Sequence, residues 1–311
     1  MDAPAATPPA EAPPARAARF DPLRDIDQMA ALIAEASDVS VDEAKRKLRY
    51  ELDNPGRSVA DDFAARGGPR YVAGPAMDEF YTSTDAFMYE LAVWNRNRMK
   101  QGMRKWVAGH MARVGRPMDV LSIGDGMGFD CLHWARKGHR VTYFELPGKS
   151  ERFARGLFRE TGTEMPMLTD PAKIPAAAFD AVTCLDVLEH VPDPPAMVRT
   201  IASYLRPGGL LYVSAPFHLI LPWYPTHLRS SRRFAGKLSL YTQAGLELAG
   251  GRPGWDPVVL RKPGDAVPDV SAGGAKLGVR LGTALWLPGR FAAWPYAWLH
   301  LLRKATNRPF A

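Results

Sequence analysis

The sequence predicts an α/β protein built on a doubly wound, mostly parallel sheet, with a helical extension on its N-terminal side and a helical or irregular tail at the other end. Three observations predict it. Met118 to Phe144, MDVLSIGDGMGFDCLHWARKGHRVTYF, reads as strand, tight turn, helix and strand. Strand and helix signals then alternate as far as Ala215, the pattern of parallel strands joined by crossover helices. Phe179–Leu185, FDAVTCL, is apolar apart from Asp180 and Thr183, as a strand covered on both faces should be.

Residues 1–19 are nearly all Ala, Pro and charged side chains, too poor in large apolar groups to bury a core, and disorder is expected there. Leu23, Ile26, Met29, Leu32 and Ile33 then recur at helical spacing. A second helix follows the Asp38 to Ser40 cap region and ends near Asn54-Pro55-Gly56. After a break at Gly67, Gly68 and Gly74, a long or broken helix from Met77 to about Arg113 carries Phe80, Phe87, Leu91, Trp94, Met99, Met103 and Trp106. Residues 20–112 thus form a helical region ahead of the first strand. Beyond the central unit, Met165–Thr169 reads as a third strand ending at Asp170, and Phe179–Leu185 as the fourth. Asp193-Pro194-Pro195 starts a helix, Arg206-Pro207-Gly208-Gly209 turns the chain, and Leu210–Ala215 is the fifth strand.

The chain has 311 residues, enough for one α/β domain with additions or two small domains. No apolar run is long enough to span a bilayer, and the proline-rich start lacks the features of a signal peptide, so a cytoplasmic protein is expected. Only Cys131 and Cys184 are present, which argues against a disulfide framework or a cysteine zinc site. The net charge of +7 is uneven: from Arg229 onward there are 13 Lys/Arg against 4 Asp/Glu. Such a basic third suits an anionic partner, or is a solvated face.

The glycines supply the chemistry. Gly124, Gly126 and Gly128 let the backbone come close to a ligand, and Glu145 closes the second strand about 20 positions later, placed to accept hydrogen bonds from ribose hydroxyls. A dinucleotide fold wants a third glycine where Phe129 stands, so a cofactor without pyrophosphate fits better. The G-D-G-M-G loop, together with D-x-x-x-I-P-x-x-x-F-D, D-V-L-E-H-V-P-D-P and L-R-P-G-G in order, resembles the motifs of class I S-adenosylmethionine-dependent methyltransferases. The likeness runs from about Met118 to Phe217. It extends toward Lys262, where GLELAGG and PVVLRKP match that family's last two antiparallel strands and complete a seven-stranded Rossmann-like sheet.

The resemblance implies S-adenosylmethionine as cofactor, with the methyltransferase domain over 113–265, the helices of 20–112 covering the substrate pocket, and a basic aromatic tail over 266–311. Ser122 stands where the family has an acidic residue, and Asp125 inside the loop is the substitute carboxylate. Gly124, Gly126 and Gly128 would lie under the cofactor, Glu145 would hold its ribose, Asp170 its adenine amine, and Asp186 would border it. His190, His218 and His227 are the candidate bases for a hydroxyl or amine acceptor. Asp186, Glu189 and His190 also resemble a magnesium-binding set of some family members. Tyr81, Tyr89 and Glu90 either reach the ligand or belong to a helix core.

The insertion 217–244 offers Trp223 and Tyr224 as flat contacts, with Arg229, Arg232 and Arg233 for an anionic acceptor or as a solvated face. The stretch 278–304, with Trp286, Phe291, Trp294, Tyr296 and Trp298 beside cations, suits a peripheral membrane contact, packing on the domain or a homodimer. Methyl transfer to O or N of a small molecule or sugar, in a biosynthetic tailoring step, is the leading expectation. A silent cofactor-binding protein and a lipid-linked or nucleic-acid substrate are its rivals, although no interleaved aromatic and basic motif for nucleic acid occurs.

Overall fold

The computed structural model describes residues 20–298 apart from 266, 269, 271, 272 and 296. The expected disorder of 1–19, Tyr296 and the tail residues beyond 298 lie outside the described residues.

Among the described residues six helices precede the sheet: α1 Ile26–Ser37, α2 Val41–Asp53, α3 Arg57–Arg66, α4 Pro75–Ser83, α5 Ala86–Arg96 and α6 Arg98–Ala112. Asp25 caps α1 by accepting the Asp27 and Gln28 amides, and Ser40 caps α2 through the Glu43 amide. The stretch read as one long or broken helix is three helices, interrupted at Thr84-Asp85 and at Asn97. No start signal for α3 stands in the local sequence. Its first amides, on Gly56 and Ser58, are accepted by the carboxylate of Glu51 in α2, a cap that local sequence does not display.

The sheet follows as β1 Asp119–Ile123, α7 Phe129–Arg136, β2 Arg140–Phe144, α8 Lys149–Thr161, β3 Met167–Leu168, β4 Phe179–Leu185, α9 Pro194–Tyr204 and β5 Leu205–Ser214. It is completed by the short α10 Ser239–Thr242, β6 Glu247–Gly251, β7 Val258–Arg261 and α11 Gly273–Trp286. Strand order is β3-β2-β1-β4-β5-β7-β6, with β7 antiparallel to both its neighbours. The order reverses between β1 and β4, which opens a crevice at their carboxyl ends.

Alternate side chains of each strand feed two cores. Val120, Val141 and Tyr143 pack with α1, α5 and α8, while Leu121, Ile123 and Val182 pack with α9. The turn expected at Arg206 to Gly209 is instead part of β5: Phe179 pairs with Leu205, and the next register partners are Ala181 and Leu210. The extra residues form a bulge, held where the Gly208 amide donates to Lys262 carbonyl at 2.9 Å. Cys131 and Cys184 are buried free thiols. No helix among the described residues is long and apolar enough to cross a membrane.

At the amino end of β4, away from the crevice, Asp180 accepts from Arg116 at 2.9 Å, from Arg206 at 3.0 Å and from the Asp119 amide at 3.0 Å. Burial pushes its carboxyl up, but these donors outweigh burial and hold it down at about 2. Folding therefore favours the ionised form: the stabilisation is present above about pH 4 and is lost as pH falls through about 2. Asp180→Asn should cost about 1 to 2 kcal/mol near neutrality, after discounting for the half-exposed arginines. Urea titration of both proteins from pH 7 to pH 2 checks it, since the gap between them should close in acid.

Candidate active site

The chain leaves β1 through Gly124, Gly126 and Gly128, whose φ angles are 69°, 64° and 80°. A Cβ on Gly124 would stand 2.5 Å from Val187 Cγ2, and one on Gly128 2.7 Å from Phe158 Cζ, so both positions need glycine for space as well as conformation. At Gly126 the neighbour is different. Among the described residues only Leu91 Cδ1 of the cap comes within 4 Å of an added Cβ, at 3.0 Å.

Glu145, just past β2, reaches this loop: Oε2 accepts the Gly126 amide at 2.9 Å, and Oε1 accepts the Leu146 amide at 3.0 Å. Burial raises its carboxyl, and the two amides oppose that rise. A glycine loop beside a carboxylate that, among the described residues, accepts from backbone amides fits a nucleoside with free hydroxyls. Asp125 faces the other way and accepts the Asp130 and Cys131 amides at 3.2 and 2.7 Å, so it caps α7. Burial, followed by the Asp130 charge, pushes its carboxyl up to about 7. Ser122 lies inside the sheet, where its Oγ accepts from Thr183 Oγ1 at 2.8 Å. Asp170 is exposed and accepts the Ala172 amide at 2.9 Å, capping the turn Pro171–Lys173. Of the expected cofactor residues, the structure gathers the three glycines and Glu145 into one cradle, places Ser122 and Asp125 in its scaffold, and sets Asp170 at the surface.

Asp186 belongs to the neighbouring cavity. It follows β4 with φ 63°, and its carboxylate accepts from Trp94 Nε1 at 3.1 Å, Lys100 Nζ at 3.4 Å and Ser214 Oγ at 3.2 Å. The cavity, of about 930 Å³, lies between the cap and the carboxyl ends of β4 and β5. His190, His218 and His227 all line it, together with Glu90, Leu91, Trp94, Glu189, Tyr224 and Trp286. Tyr81 and Tyr89 divide: Tyr81 contacts His190, while Tyr89 is buried in the core against Asp85.

His190 Nδ1 is 3.2 Å from the Thr226 carbonyl and 2.9 Å from the Tyr81 hydroxyl. A carbonyl only accepts, so Nδ1 carries the proton and Nε2 keeps its lone pair. Burial pushes the imidazole down to about 4, leaving it neutral at pH 7. His227 meets His190 edge-on at 4.8 Å and stacks on Tyr224, and His218 stacks on Trp286 at 4.3 Å. Glu189 is 1% exposed, and its Oε2 has no hydrogen-bond partner among the described residues.

Glu189, His190 and His227 each present a ligand atom, all within 4.8 Å of one another. This differs from the set implied by resemblance, because Asp186 is held by Lys100, Trp94 and Ser214 and His227 stands in its place. Two imidazoles and one carboxylate suit zinc or a similar transition ion, whereas magnesium prefers oxygen donors throughout.

The arginines of the insertion do not line the cavity. Arg229 lies over the Tyr71 ring and Arg233 over Phe234. The wall instead carries Glu51, Asp53, Glu90, Asp186, Glu189 and Asp256 against Arg24 and Arg96, a balance that disfavours an anionic acceptor there. Trp94 and Lys100, the donors to Asp186, escaped the sequence reading as site residues. A signal was available: Lys100 and Arg104 fall on the same helical stripe as Met103 and Val107, and a cation on an apolar stripe needs a buried partner.

The family model described as Methyltransferase domain matches residues 95–258. The ubiquinone biosynthesis O-methyltransferase of Xanthomonas axonopodis pv. citri (strain 306) is 41% identical over 99 residues, which are 30% of this chain and 41% of that protein. The enzyme of the same description from Stutzerimonas stutzeri (strain A1501) is 34% identical over 113 residues, 35% of this chain and 48% of its own. The chain thus spans less than half the length of these curated relatives. An O-methyltransferase family protein from Burkholderia thailandensis shares the fold, with a TM-score of 0.50, 15% identity and 71% of each chain covered.

If Glu145 holds a ribose, Glu145→Ala should weaken S-adenosylmethionine binding about tenfold or more by isothermal calorimetry, the worth of a charged hydrogen bond. An unchanged Kd would assign Glu145 to bracing the loop alone.

Proposed function

Because the chain belongs to the class I S-adenosylmethionine-dependent methyltransferase family, we propose that it methylates oxygen, or alternatively nitrogen, on a neutral and flat small molecule held between the cap and the sheet. The observation that carries this reading is the cavity wall, where three histidines and several aromatic rings share one space beside Asp186. The O-methyltransferase descriptions of the relatives support an oxygen acceptor.

The bound cofactor supplies a methyl group on a sulfonium, open to in-line displacement. Gly124, Gly126, Gly128 and Glu145 would hold its nucleoside and methionine portions, and Asp186, fixed by Trp94 and Lys100, borders the crevice from the acceptor side. Trp94 and Tyr224 offer flat faces that orient an aromatic ring, and alignment of this kind accounts for much of such a reaction. A phenolic hydroxyl, with pKa about 10, gives up its proton more readily to a neutral imidazole placed beside it. His190 presents Nε2 for that purpose, with His227 next to it. A divalent ion on Glu189, His190 and His227 would instead lower the hydroxyl pKa as a Lewis acid, with the imidazoles as its ligands.

The test is release of S-adenosylhomocysteine over a panel of catechols, phenols and amines. His190→Ala and His227→Ala should each lower kcat by about a hundredfold or more while cofactor affinity stays within about twofold. Activity lost to a chelator and restored by zinc would place the histidines on an ion. Binding of cofactor without turnover of any acceptor would favour the silent binder.

A further inference from the structure

α11 packs on the domain with one face only. Val279 and Trp286 are buried, and a Cβ on Gly282 would fall 1.8 Å from the Pro253 carbonyl oxygen, so that face is pressed against the protein. The opposite face carries Leu277, Leu281 and Leu285 at four-residue spacing, 59%, 67% and 50% exposed. Phe291, Trp294 and Trp298 continue the exposure, with Phe291 at 82%. Of the twelve exposed large apolar side chains among the described residues, seven lie between 277 and 298. Scattered exposed leucines need no explanation, but a concentration like this marks a contact surface.

The charges say what it contacts. Lys276 and Arg280, also four apart, run along the flank of the leucine row, and from Val270 to Ala311 the sequence has six Lys/Arg and no Asp/Glu. A second copy of the chain meeting this face with its own would set like charges against each other. We propose that α11 and the segment after it bind the surface of an anionic phospholipid bilayer, lying in its interface with the leucines and tryptophans in the headgroup boundary and the cations on lipid phosphates. The contact is close to the cavity. Trp286, buried in the cavity wall, stands between the exposed Leu285 and Leu287, and Ala293 and Ala297 pack on Leu221 of the insertion. The bilayer face and the cavity therefore share one wall.

Flotation of the full chain with vesicles tests this independently of any methyl transfer. The protein should float with mixed phosphatidylcholine and phosphatidylglycerol, stay behind with phosphatidylcholine alone, and release as salt rises. Lys276→Glu with Arg280→Glu should lower partitioning about fivefold or more for each cation removed. Leu277→Ser with Leu281→Ser should lower it about tenfold. Trp294→Ala, outside α11, should weaken it as well, and unchanged circular dichroism would show that each variant is folded. Absence of flotation by the wild type, equal flotation of all variants, or a dimer dissociated by the leucine changes without vesicle binding would each overturn the proposal.

Discussion

The arrangement of the site depends on one buried group of charges. Lys100 and Arg104 in α6 meet Asp130 at the start of α7 at 3.1 and 2.6 Å, and Lys100 also reaches Asp186 at 3.4 Å. Burial alone would discharge the Lys100 amine, but Asp130 and then Asp186 outweigh it and raise its pKa. Asp130, pushed up by burial, is brought down to about 2 by the same two cations. An unpaired charge in this position would cost several kcal/mol, so α6 must lie where Asp130 and Asp186 can meet it. The helical cap is thereby fixed to the helix that follows the glycine loop and to the residue just past β4.

That fixation gives the cap two faces. Leu91 of α5 lies beside Gly126 of the glycine loop, and Trp94, one turn later, donates to Asp186 beside the histidine-lined cavity. A single helix, α5, thus sets the gap between the glycine loop and the histidines. Leu91 also lines the cavity, which makes it part of the partition between the two.

Much of the sheet was legible in the sequence because parallel strands covered on both faces leave a continuous apolar trace. Phe179–Leu185 matches its observed bounds, and GLELAGG and PVVLRKP form the antiparallel pair. The glycine loop was legible for a different reason, since its positive φ angles and close neighbours exclude other residues. What escaped notice depends on partners distant in sequence. The bulge at Arg206 to Gly209 is defined by Lys262, two of the donors to Asp186, Trp94 and Lys100, lie 92 and 86 residues away, and His227 joins Glu189 and His190 only through the path of the insertion. Asp125 and Asp170 show the converse limit: a carboxylate near a loop has the same sequence appearance whether it binds a ligand or caps a helical turn.

Glu51 ties two parts of the cap into one unit. From within α2 its carboxylate caps the start of α3 by accepting both the Gly56 and Ser58 amides, and its side chain is also part of the cavity wall. α3 therefore has no independent start: a motion that withdraws α2 strips the first turn of α3 of its acceptor. One acid therefore serves both the start of α3 and the outer rim of the cavity, so a change at Glu51 alters the shape of the binding space and the stability of that corner together.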